Sequence, residues 1–110
     1  MAALLVNVRD APAAPLDAAS QFHSAIVPDI RKKLAKAAEI VIVFEPADHS
    51  HRAWRLAAVQ ELAREVAPAR ANAIVGSDDS ALAETLDYLA HAPGITGQLL
   101  AVDGKSAKMD

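Results

Sequence analysis

The sequence predicts an α/β fold on a four-stranded parallel sheet, in the order β-α-β-α-β-α-β. Three observations carry that expectation. Glu39–Phe44 contains Ile40-Val41-Ile42-Val43, which is β-branched and apolar on both faces, as a central parallel strand requires. Short apolar runs alternate along the chain with stretches of helical period, which implies parallel strands joined by right-handed crossovers. The chain has 110 residues, 53% of them hydrophobic, enough for one domain with a modest core.

Each element follows from local chemistry. Ala3–Val8 is an apolar run closed by Arg9 and Asp10, and reads as a buried strand. Ala11–Pro15, with two prolines, is a loop. Asp17 or Ser20 suits the cap of a helix continuing to about Ala37. Pro28 restarts or kinks that helix, and Arg31, Lys32, Lys33 and Lys36 complement its dipole or form a solvated face. After the strand Glu39–Phe44, the loop 45–50 leads into a helix over 51–66, closed by Pro68. In it Trp54, Ala58, Val59, Leu62 and Val66 recur at spacings of three and four. Asn72–Val75 is a strand, and Gly76-Ser77-Asp78-Asp79-Ser80 a turn and cap. Ala81–Ala92 is a helix and Gln98–Val102 the last strand. Residues 1–104 form one domain and 105–110 a flexible tail.

Composition excludes several functions. Net charge is −3 and aromatics are 4%, which argues against a nucleic-acid surface or a base-stacking platform. With no cysteine there is neither a disulfide framework nor thiolate chemistry. No apolar run approaches the roughly 20 residues of a membrane span, and the N-terminus lacks a signal-peptide pattern. The expectation is a cytoplasmic protein.

The string Leu82-Ala-Glu-Thr-Leu-Asp-Tyr-Leu-Ala-His-Ala-Pro-Gly-Ile-Thr-Gly-Gln-Leu-Leu-Ala-Val-Asp-Gly104 runs helix, Pro-Gly turn, strand, Asp-Gly. It resembles the closing helix and last strand of the short-chain dehydrogenases/reductases. Leu62-Ala-Arg-Glu-Val-Ala-Pro68 with Asn72-Ala-Ile74 is similar to the end of that family's fifth helix and its sixth strand. Ala3–Asp10 resembles the fourth strand, where the family usually carries Asn-Asn-Ala-Gly; here Asn7 remains, followed by Val8, Arg9 and Asp10. The resemblance implies a three-layer Rossmann-like half-domain, a degenerate and truncated relative lacking the glycine-rich turn that holds the dinucleotide pyrophosphate.

The family's chemistry uses a Tyr, a Lys four residues later that lowers the Tyr pKa, and a Ser at the end of the fifth strand. On this chain those positions fall on Asp48, on Arg52, and on Phe44 or Glu45. Tyr88 is the lone tyrosine, expected as a half-buried helix residue without a Lys at the needed spacing. No catalytic residue is therefore assigned. Asn7 and Arg52 are the candidates for cofactor contact, and NAD or NADP is expected only if a partner supplies the missing half.

Other constellations are weaker. Asp48, His49 and His51 are metal-ligand types, but i and i+2 in one loop do not converge without a third strong ligand, so no metal is assigned. Arg52 and Arg55 at a helix start suit a small anion. Asp78 and Asp79 compensate a helix N-terminus, and His23 and His91 stand isolated.

The family's strand order leaves the strand Ala3–Val8 at an edge, with Leu4-Leu5-Val6 offering unpaired backbone. The expectation is a homodimer or a heteromer with a short-chain dehydrogenase, the chain acting as a non-catalytic oligomerisation, scaffold or regulatory subunit. The alternatives are a subunit of a composite NAD(P)-dependent reductase and a small anion- or nucleotide-binding module using residues 45–52.

Overall fold

The structure is a computed structural model describing residues 3–34, 37–102 and, as backbone, 107–109. The strands are β1 (Ala3–Val8), β2 (Glu39–Phe44), β3 (Arg70–Val75), β4 (Leu99–Val102) and β5 (Ala107–Met109), in the spatial order of the sequence. The first four are parallel, as predicted, with Leu5 beside Val41, Val41 beside Asn72 and Ile74 beside Leu100. The helices are α1 (Pro15–Gln21), α2 (Val27–Lys33), α3 (Arg52–Val66) and α4 (Asp79–Ala90). Among the described residues no helix is long and apolar enough to cross a membrane.

β2 is buried along its whole length, because neighbours flank it and helices cover both faces. On one face Ile40, Ile42 and Phe44 pack with Phe22 from the turn between α1 and α2, Ile30 from α2, and Val59 and Leu62 from α3. On the other, Val41 packs with Ile74, Leu89 and Leu100 beneath α4. This makes the three layers. It also corrects the expectation of uniformly right-handed crossovers. The strands step in one direction, yet α1–α3 lie on one face and α4 on the other. The β3-α4-β4 crossover therefore has the opposite hand from the first two, against a rule that holds for about 98% of such units.

Side chains bolt that crossover down. Arg70 Nη1 donates to the carbonyls of Leu89 (3.0 Å) and Ala92 (2.9 Å), at the end of α4, and reaches Ile95 at 3.4 Å. Its Nη2 lies 3.2 Å from the buried carboxylate of Glu39. Asn72 Nδ2 donates to Ile95 O (3.0 Å), and Asn72 Oδ1 accepts from the Gln98 N–H (3.0 Å). Gly97, at φ +73°, donates its N–H to Ala71 O at 2.7 Å.

Other boundaries differ in instructive ways. The first helix begins at Pro15, with Ala14 as an N-cap that makes no side-chain bond, so neither Asp17 nor Ser20 caps it. The fixed φ of Pro15 presets the first helical turn, and Asp17 falls inside it. Phe22–Ile26 widens into a π turn, closed by the Val27 N–H on Phe22 O. Pro28 has no N–H for the helix ladder, and the widened turn before it absorbs its ring. The basic residues are exposed but not merely solvated: Arg31 grips Glu65 of α3 with two bonds of 2.7 Å, and Lys33 pairs with Asp29 at 3.0 Å. Lys36 lies outside the described residues.

Within the expected frayed tail, Ala107–Met109 instead runs antiparallel to β4. It takes up backbone groups that the outer side of β4 would leave unpaired. Asp103, Gly104, Lys105, Ser106 and Asp110 lie outside the described residues.

Two stability tests follow. A Cβ on Gly76 meets the Val102 carbonyl oxygen at 2.6 Å, whereas one on Gly94 meets nothing within 4 Å. Gly76→Ala should cost about 1–3 kcal/mol, and Gly94→Ala should be neutral or stabilising by up to about 1 kcal/mol, read from urea midpoints. Arg70→Met leaves Glu39 buried beside an uncharged side chain and should cost about 3–5 kcal/mol. Adding Glu39→Gln should recover part of that loss in the same measurement.

Candidate functional site

Open α/β sheets present ligand sites at the carboxyl ends of their strands. Here that end carries the loops 9–14, 45–48 and 76–78, and cross-links between them set its geometry. Asp10 adopts φ +55°, and its N–H donates to Glu45 Oε1 at 2.9 Å. Asp tolerates this left-handed region better than most residues. It stands where the resemblance puts a glycine, the residue that adopts this region most readily.

The loop after β2 turns into a 3₁₀ segment, His49–His51, before α3. Asp48 caps it: its carboxylate accepts from the Ser50 N–H at 2.9 Å and from the Ser50 hydroxyl. Those bonds, the hydroxyl first, hold the Asp48 carboxyl below the ordinary carboxylate range. His51 is buried, 3.0 Å from Ala13 O through Nε2, and its Nδ1 accepts from Trp54 Nε1 at 3.1 Å. Phe22, Phe44 and Trp54 pack with centroids 5.6 Å apart in each pair. The guanidinium of Arg55 lies 4.5 Å above the Phe44 ring, and its Nη1 donates to Glu45 O at 3.1 Å.

Two clefts open here. One, of about 110 Å³, is bordered by Asn7, Arg9, Glu45, Ser77 and Asp79. The other, of about 230 Å³, is bordered by Asp48, His49, Arg52, Arg55 and Val75. Asn7 and Arg52 thus line different clefts and are not brought together. Arg52 is exposed, as is Asp48, while Phe44 is fully buried in the core. Tyr88 is 56% exposed, more than the half-buried placement expected. Asp78 caps α4 by accepting from the Ala81 N–H at 2.8 Å, and Asp79 follows in the first turn. His23 packs edge-on against Phe22, and His91 lies 3.6 Å from the Asp87 carboxylate.

Both clefts are small, and one is partly acidic. The clefts fall below the roughly 300–1,000 Å³ of ordinary ligand pockets, and Glu45 and Asp79 would repel phosphate in the cleft of Asn7. Among the described residues, no three His, Cys, Asp or Glu side chains gather as metal ligands.

The family model for short chain dehydrogenase-like proteins matches residues 6–102. The chain belongs to the short-chain dehydrogenase-like family. No curated protein and no solved structure gives a significant match. The match spans β1 through β4 and so includes the α4 crossover and the Arg70 and Asn72 clamp.

Asp48 caps the turn after the loop 45–50, while the ties of His51 were not expected from the sequence. A His-x-x-Trp spacing on one helical face signals the local bond; nothing in the sequence signals Ala13, 38 positions away. The Asp48 cap gives a pH test. A carboxyl with a lowered pKa stabilises its turn above the ordinary range and releases it as pH falls through the lowered value. Ser50→Ala should raise the Asp48 midpoint toward about 3.9, followed by carboxyl-carbon NMR; an unmoved midpoint would refute the cap.

Proposed function

We propose that this short-chain dehydrogenase-like protein is non-catalytic and acts as an oligomerisation or scaffold subunit whose partner is a second copy of the chain. The observation that carries the reading is the uncovered side of β1. α4 shields β2, β3 and β4, while Ala3, Leu5 and Asn7 on the same side of β1 are exposed, Leu5 at 46%. β1 is one of the two edge strands among the described residues and contains no charge and no proline, the usual protections of an edge. An uncharged strand does not repel its own copy. Two-fold antiparallel pairing would bring the two Leu5 side chains onto one face.

The chemistry of the aligned positions agrees with a non-catalytic role. Asp48 and Arg52 stand where the resemblance puts the proton-transferring Tyr and its Lys. The Asp48 carboxylate is engaged with Ser50, and Phe44 belongs to the core.

Light scattering after size exclusion tests the reading: a dimer is expected at micromolar concentration, and Leu5→Lys should return it to monomer. NADH and NADPH should leave the fluorescence of the chain unchanged. A monomer at all concentrations overturns the self-association, and saturable dinucleotide binding overturns the non-catalytic reading in favour of a composite reductase.

A further inference from the structure

We propose that His51 is an acid-sensitive latch, holding the loop after β1 against the start of α3 while its imidazole is neutral. The tautomer follows from its partners. The indole nitrogen of Trp54 only donates, so His51 Nδ1, 3.1 Å away, carries the lone pair. Nε2 then bears the proton and donates to Ala13 O at 3.0 Å. Both nitrogens are engaged, and the residue is only 5% exposed.

A further proton has only Nδ1 to join. It would set two N–H groups against each other across the contact with Trp54. It would also create a cation in a buried site. Apart from the buried Arg55, the charged or titratable groups around the site are exposed. Asp48 and His49 share its turn, and Arg52 follows in α3. Arg9 and Asp10 lie in the loop, Glu45 at the end of β2, Asp17 in α1 and His23 in the π turn. Asp48 attracts an imidazolium, but its carboxylate sits in the solvent-facing turn, engaged with Ser50. Protonation therefore favours a state with the ring turned out to water, where the charge is solvated and the Ala13 carbonyl is released.

The latch joins two loops that border both clefts: Arg9 and Glu45 line one, Asp48 and His49 the other. Acid would widen the carboxyl end of the sheet while leaving the two core clusters in place. This does not depend on whether copies of the chain associate.

Trp54 is the chain's single tryptophan, so its emission reports directly on the His51 ring. Lowering the pH from about 8 to about 5 should produce one reversible step in emission. Amide exchange across residues 11–14 should rise through the same step. His51→Gln should abolish both changes. NMR of the imidazole nitrogens in the unaltered protein reads the same event without a variant. A flat emission and exchange profile, a step that persists in His51→Gln, or an Nδ1 that stays unprotonated while the loop opens would each overturn the latch.

Discussion

The guanidinium of Arg70 is the point on which the second half of the fold turns. It lies between the Glu39 carboxylate and the carbonyls that end α4, joining the start of β2, the start of β3 and the end of α4. A buried ion pair alone gains little, because both charges lose their water. Here the guanidinium also adds a charged donor to the Leu89 and Ala92 carbonyls, which already accept backbone N–H bonds, at the negative end of the helix dipole. Asn72 adds a side-chain copy of a strand ladder, donating to Ile95 and accepting from Gln98. A crossover of the disfavoured hand receives no help from strand twist, and specific bonds at its closing turn supply what the twist does not.

Placing α4 on its own face has a cost at the other side of the sheet. The helix shelters Val41, Ile74 and Leu100 but does not reach β1, so Leu5 stays open while Leu4 and Val6 pack against the opposite layer. That opposite layer is tighter at the carboxyl end. Three of the chain's four aromatic residues meet there, and each such pair contributes about 0.5–1.5 kcal/mol beyond its buried area. Phe44, at a position the resemblance gives to the catalytic Ser, is the middle of that cluster.

What the sequence made legible were features with a short-range cause. The run Ile40–Val43 names a buried strand by composition, and the spacing from Trp54 to Val66 fits α3 to within a residue of its start. Asp78 signals its cap because the chemistry of a cap is local. Hidden features depended on distant partners. The layer that α4 joins is decided by Arg70 and Asn72, ordinary polar residues until the closing turn arrives more than 20 positions later. Pro28 announces a disturbed helix, but a π turn and a plain kink satisfy its missing N–H equally well in one dimension. At the site, Asn7 and Arg52 were reasonable candidates from pattern, yet pattern does not say that they face different clefts.

Asp10 shows why the family is recognisable when its chemistry is not. The position needs a backbone with positive φ, and Asp provides it while its own N–H bonds Glu45. A side chain on that turn costs little if the conformation survives. A catalytic group has no such latitude. Replacing a phenol with the carboxylate of Asp48 changes the pKa, the reach and the hydrogen-bonding role together, and here the carboxylate is drawn into capping the turn at Ser50. Backbone requirements can be met by several residues, and reaction requirements by few. Asp10 meets a backbone requirement of the first kind, and the Asp48 carboxylate is engaged in a cap.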